Sequence, residues 1–279
     1  MPDRPPLEFP DPVTVHQPGA ADRIVSAVTA CGIARMRGVA TEHALLRVAR
    51  WLGTVEHHPD SGPTGVTTLR PSPAAAQPGR AGFTAEALPP HTDRAGVAQP
   101  PMLLVLACQR PARRGGATVL VDGRAVHDDL RARYPEALRV LSSPGAAYFG
   151  GANGYSGPVF TAAHSGTRAI RWSTDQRSQL SPLARPWQAA LRHLISEHTH
   201  TVLLGAGDGL VVHNRWWLHG RRSFRGDRAL WRILANPHPH WHIPPGFPAT
   251  APPPTGLPGP RTLQPPRTAA APTDSGTHA

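Results

Sequence analysis

Hydrophobic positions along this chain switch between a helical and an extended period, and the switches mark its elements. Residues 22–31 set Ile24, Val25, Val28 and Cys31 on one helical face, and Gly32 follows as a stop. Gly32 to Arg37 then reads as a strand. A second helix runs from the N-cap Thr41 to Gly53 and buries Leu45, Leu46, Val48, Ala49 and Leu52. From about 54 to 100 the pattern becomes short strands broken by Gly and Pro, including 66–70 and a segment around Phe83. The most apolar stretch, Pro101 to Gln109, suits a strand buried on both faces. Gly115 to Asp122 is another strand, opened by a glycine pair.

Asp122 caps a further helix that carries Val126 and Leu130 and ends before Pro135. Residues 143–157 read as a long Gly-rich loop, a length that inside a domain often serves as a lid. Strands at about 158–163 and 167–173, a helix at 184–198, and strands at 201–204, 209–213 and 228–235 follow. The prediction is a mostly β fold with flanking helices and no internal repeat. Residues 1–20 read as an extended N-terminal segment and 21–248 as one domain. Residues 249–279 read as a Pro-rich, disordered tail.

Composition narrows the function. A length of 279 residues is ample for a buried core. The formal net charge is +11, and all 29 basic residues are Arg. They scatter from Arg4 to Arg267 instead of clustering on one face or tail, which argues against a nucleic-acid partner. Such a charge can still draw small anions into a cleft. The two cysteines, Cys31 and Cys108, make neither a disulfide framework nor a zinc knuckle. The N-terminus has no apolar leader, and the longest apolar run, Met102 to Cys108, is far too short to span a membrane. The expectation is a cytoplasmic protein with no membrane partner, acting on a small molecule, its oligomeric state open.

Three His-x-Asp pairs offer two ligands of a 2-His-1-carboxylate metal site: His58/Asp60, His91/Asp93 and His127/Asp129. The last sits in the helix after Asp122, where residues two apart point about 200° from each other. The first lies in a loop with no strand to hold it. His91 and Asp93 follow an extended segment, Leu88-Pro-Pro, on which alternate residues project to one side. The distant second histidine is His219, in Leu210–Gly220. Just beyond it, Arg228, Leu230, Arg232 and Leu234 share one face of a strand apolar on both sides. Arginines on a buried face need anionic partners, either a carboxylate-bearing ligand or an internal Asp or Glu.

Four ordered motifs carry a family resemblance: Leu88–Asp93, Gly115–Asp122 with its G-G-x-T start, Asn214–Arg221, and Arg228-x-x-x-Arg232. Together they resemble the iron(II)/2-oxoglutarate-dependent dioxygenases of the taurine dioxygenase and clavaminate synthase-like branch, over roughly residues 20–240. The resemblance implies a double-stranded β-helix, or jelly-roll, core. It implies that His91, Asp93 and His219 hold Fe(II), and that Thr118 hydrogen-bonds a carboxylate of 2-oxoglutarate. Arg232 would then pair with the distal carboxylate of 2-oxoglutarate, and Arg228 would lie near its chelating end.

With O2 as cosubstrate, such enzymes release succinate and CO2 and attack an unactivated C–H bond. Hydroxylation is the expected outcome. Desaturation, epoxidation and ring closure start from the same oxidant, and a cupin-like metal protein that uses no 2-oxoglutarate is the other reading. The carboxylate at Asp93 fills the place where related halogenases bind halide. Arg94, Asn153 and Arg221 are candidates for contacts to an anionic or amino-acid-like substrate. One departure from the pattern is His213, where relatives often carry Asp before the Asn.

Overall fold

In a computed structural model the described residues are 9–72, 80–151, 153–162 and 166–249. A seven-stranded sheet runs Val13–Thr14, Ile33–Arg37, Gly209–His213, Leu103–Arg110, Ala229–Pro237, Gly53–Glu56, with Thr67–Leu69 also paired to Ala229–Pro237. A four-stranded antiparallel sheet runs Thr199–Val202, Thr118–Asp122, Trp217–Arg221, Leu88–His91. The fold is mostly β with flanking helices, as its hydrophobic pattern predicts.

Side-chain alternation on the larger sheet explains where its two cores lie. Leu103, Val105, Ala107, Val211, Trp231, Ile233 and Ala235 face helices Ala20–Cys31 and Glu42–Leu52 and build one cluster with Ile24, Leu45 and Leu52. Their neighbours Leu104, Leu106, Leu210, Val212 and Leu234 face the smaller sheet and build the other, with Leu120 and Leu218. Period two thus assigns each residue of a central strand to one core or the other. It also sends Arg232, between Ile233 and Trp231, to the side facing the smaller sheet. Beyond that sheet the same cluster continues into helices Gly123–Arg133, Pro135–Leu141 and Gln188–Glu197.

Local signals set most boundaries. Thr41 Oγ1 accepts from the Ala44 N–H and Asp122 Oδ1 from the Arg124 N–H, the two caps the sequence suggests. Several expectations need correction. The segment around Phe83 is a turn of 3-10 helix, Ala81–Phe83, not a strand. The Arg221 guanidinium instead donates to the carbonyls of Gly82, Thr84 and Glu86.

The 143–157 stretch is a hairpin, Ala147–Phe149 against Tyr155–Gly157, rather than an open loop. Tyr148 ties its tip: the phenol donates to the Gly151 carbonyl and accepts from the Gly154 N–H. Of the expected N-terminal segment, residues 1–8 lie outside the described residues; a short strand lies at Val13–Thr14 and the first helix begins at Ala20. A strand not read from the sequence, Phe247–Pro248, pairs with Thr167–Arg168 near the end of the expected domain, and Phe247 is fully buried. The expected Pro-rich tail lies, apart from Ala249, outside the described residues.

Candidate metal centre

His91 ends the Leu88–His91 strand and stands directly opposite His219 in the antiparallel register of the smaller sheet. The two imidazoles lie 4.5 Å apart, centroid to centroid. Gly220 permits this closeness: a Cβ there would come within 2.4 Å of the Leu88 carbonyl oxygen. Asp93 follows two residues later in a turn. Its Oδ1 is 3.6 Å from His91 Nε2 and its Oδ2 is 3.8 Å from His219 Nε2. These separations are too long for hydrogen bonds, and all three ligand atoms lie within 4.8 Å of one another, as donors sharing one ion would.

Supporting contacts fix the donors. His91 Nδ1–H donates to the Pro89 carbonyl at 3.0 Å, which leaves the Nε2 lone pair directed at Asp93. The backbone of Asp93 is clamped by the buried Asn214, which accepts from its N–H at 2.7 Å and donates to its carbonyl and to that of Pro101. Burial by itself raises the Asp93 carboxyl, yet Arg232, His219 and His91 hold it well below the usual range. His219 is pushed down by burial and by the neighbouring His91, so it stands neutral, as a metal ligand requires. The residues present therefore suit a divalent ion bound on one face.

The triad opens into a cavity of about 900 Å³ lined by both sheets, by the 81–97 segment and by Gly150, Gly151, Asn153 and Gly154. All six remaining residues anticipated from the sequence line it, but they do different things. Arg221 is spent on the three backbone carbonyls of the 82–86 segment. Asn153 sits exposed at the rim. Arg232 places NH1 3.2 Å from both oxygens of Asp93, at the metal end. Its partner is thus an internal carboxylate, one of the two alternatives its buried position allows.

Arg228 lies at the other end. The left-handed pair Gly115 and Gly116 (φ 72° and 74°) passes beneath it, and a Cβ on Gly116 would touch its Cδ and Nε at 3.1 Å. Arg228 is 7% exposed, burial lowers its pKa, and among the described residues no carboxylate pairs with it. Thr118, buried and opposite Arg221 in the register, lines the same cavity.

Two further groups complete the pocket. Arg94 adopts the left-handed region (φ 58°), and its buried Nε has no partner. His58, which looks from sequence like a loop residue without a role, lines the same cavity. Its Nδ1 accepts from the Asp60 N–H, so the proton is on Nε2. Burial and then Arg232 lower its pKa to about 4, leaving it a neutral donor. Only the fold could find His58, because its 58–60 segment shares no pairing with the triad. The other His-x-Asp pair is structural: His127 stacks edge-on to Phe160 and Phe247, and Asp129 pairs with His198.

Two histidines and an aspartate on one face of a cavity, at the end of a β sheet facing another, make a donor set that could hold one metal ion. The sequence profile of the Taurine catabolism dioxygenase TauD, TfdA family matches residues 3–234, and the chain belongs to that family. It is 25% identical over 178 residues to human gamma-butyrobetaine dioxygenase, covering 58% of this chain and 46% of that protein. It is 29% identical over 149 residues to a Streptomyces uridine-5'-phosphate dioxygenase, covering 47% and 53%. The chain thus spans about half the length of these relatives.

Among solved structures, the non-heme iron oxygenase OrfP with Fe and alpha-ketoglutaric acid superposes at a TM-score of 0.64. The sequence identity is 18%, with 79% of this chain and 80% of that one covered. An asparagine oxygenase with Fe(II), hydroxyasparagine and succinate gives 0.60 at 18% identity, covering 80% and 81%. The fold is that of these jelly-roll oxygenases. No helix among the described residues is long and apolar enough to cross a membrane.

Proposed function

We propose that the protein is an iron(II)- and 2-oxoglutarate-dependent oxygenase that hydroxylates an unactivated C–H of a small anionic or amino-acid-like metabolite. The observation that carries this reading is Arg228, a buried residue lining the triad's cavity with no carboxylate partner among the described residues. An unpaired buried charge of this kind calls for a carboxylate from outside. Iron with 2-oxoglutarate and O2 supplies, when bound, the power to oxidise an unactivated C–H, with release of succinate and CO2.

The chain's own residues position and enclose these partners. His91, Asp93 and His219 would hold the ion from one side of the cavity. Arg228 and Thr118 suit the distal carboxylate of the cosubstrate, the reverse of the arginine order that the family resemblance implies. Arg232, fixed on Asp93, then serves the metal end. Arg221 holds the 82–86 wall of the cavity through its carbonyls.

The test is to add iron(II) and then 2-oxoglutarate to metal-free protein without oxygen and look for the visible charge-transfer band of the chelate. His219→Ala is expected to lose both iron and band, and His127→Ala to keep both. Iron bound with no band in the parent protein would replace this reading with a metal protein that does not use 2-oxoglutarate.

A further inference from the structure

Arginines that scatter along the sequence gather at one place on the folded surface. Arg114–Gly115 pairs with Phe224–Arg225 as a two-stranded ribbon. Period two gives that ribbon two unlike faces. On the inner face, buried Phe224 stands opposite Gly115, its ring centroid 4.9 Å from the Arg221 guanidinium and 5.5 Å from that of Arg228. On the outer face, Arg225 stands opposite Arg114, and both are exposed. Exposed Arg113 and Arg222 flank the pair, tied in through backbone N–H groups that donate to the Arg225 and Ala117 carbonyls.

Among the described residues, none of these four guanidiniums makes an ion pair or a hydrogen bond. The ribbon's own acid, Asp227, is taken by Arg110 at 2.6 Å. Glu86, next to the Ala85 carbonyl that accepts from the Phe224 N–H, lies beside Arg221. Like charges directly opposite each other on a sheet destabilise it. The Arg114/Arg225 pair therefore works against the isolated chain, and Arg113 and Arg222 add to the repulsion. Local rules broken without a gain to the fold are expected at functional positions.

We propose that the outer face of this ribbon docks an acidic helix of a partner protein, an interaction independent of the metal chemistry. None of the four arginines lines the cavity of the site, so the anion they meet lies on a surface. The one aromatic ring of the ribbon, Phe224, is turned inward, which leaves no platform for stacking bases. The large apolar side chains exposed among the described residues, Leu183 and Leu203, belong to other segments, so no bilayer anchor accompanies the charge. A helix suits the spacing. Acids three or four residues apart on it lie about 5–6 Å from each other, and residues opposite on antiparallel strands about 4.5–5.5 Å. Each guanidinium fork then meets one carboxylate.

The test uses the full chain and a fluorescent alanine-based helical peptide with glutamates at i, i+4 spacing, beside its glutamine and lysine counterparts, a DNA duplex and phosphatidylserine vesicles. The glutamate peptide is expected to bind by fluorescence anisotropy, the glutamine peptide not to, and the affinity to fall at least about tenfold as salt rises to roughly 0.3 M. Arg114→Glu should weaken binding about tenfold, since it removes one attraction and adds one repulsion. The same variant should melt no lower than the parent, because its carboxylate now faces Arg225. Arg192→Glu, an equal change of net charge on helix Gln188–Glu197, should leave binding within about twofold. Replacing both Arg114 and Arg225 by Glu should transfer binding to the lysine peptide. No binding of the glutamate peptide at low salt, equal binding of the glutamine peptide, or an equal loss in Arg192→Glu overturns the docking face. Duplex or vesicles bound more tightly than the glutamate peptide, and lost in Arg114→Glu, overturn the choice of an acidic protein.

Discussion

Arg228→Met separates a ligand-binding arginine from a structural one, because the two roles predict opposite effects on the empty protein. Arg228 is buried, with no carboxylate paired with it among the described residues, and burial depresses its pKa. Its stem passes over Gly116, and its head lies 5.5 Å from the Phe224 ring centroid. Methionine keeps the length of that stem and removes the charge. Without ligand, the variant relieves a desolvated charge and should be as stable as the parent or better. A relief of about 1 kcal/mol corresponds to a rise of roughly 2–4 °C in melting temperature for a chain of this size.

With 2-oxoglutarate the sign reverses. Removing one partner of a buried guanidinium–carboxylate pair costs about 3–5 kcal/mol. That weakens cosubstrate binding by roughly 10²- to several-thousand-fold. The assay is an anaerobic titration of 2-oxoglutarate into iron-loaded parent and variant, followed by the charge-transfer band, beside melting curves of both proteins without metal. A variant that melts several degrees lower and binds 2-oxoglutarate as the parent does would refute the reasoning and make Arg228 a structural residue.

Two other perturbations follow from the geometry. His213 is fully buried, donates from Nε2 to the Pro244 carbonyl, and has a pKa lowered to about 4, by burial first. Its folded value lies below its unfolded value near 6.5, so the unfolded chain binds the extra proton. Its contribution is therefore present above pH 6.5 and lost as pH falls toward 4, by about 3 kcal/mol at most. His213→Gln should flatten the stability–pH curve over that window in urea melts, and parallel curves would contradict this. Gly220→Ala drives a Cβ to 2.4 Å from the Leu88 carbonyl and must displace the strand that ends in His91. Iron affinity should drop by roughly 10–100-fold, the scale of a disturbed ligand support. An unaltered iron titration would show that the strand pair absorbs the methyl group.

Much of the frame was legible because it is written in local periodicity. The caps at Thr41 and Asp122 and the strands of the larger sheet announce themselves within a few residues, since propensity and burial agree there. The pairing of Phe247–Pro248 was hidden by its proline-rich surroundings, and the 143–157 hairpin by its glycines. Local composition does not report a partner strand that arrives from far along the chain.

The strand carrying His219 was hidden in the same way. Trp216 and Trp217 break its alternation by entering different contacts, one reaching Asp122 and the other the Cys31 carbonyl.

By itself the sequence determined the chemistry available: a His-x-Asp pair on an extended segment, a distant histidine, and two arginines on one face of a buried strand. Only the tertiary structure decided how they are used. It set His91 opposite His219 in register, turned Arg232 onto Asp93, left Arg228 without an internal anion, and brought His58 and Arg94 to the same cavity. The reason is physical. Spacing along a strand fixes which face a side chain takes, but its partner depends on the register and twist of strands more than a hundred residues away.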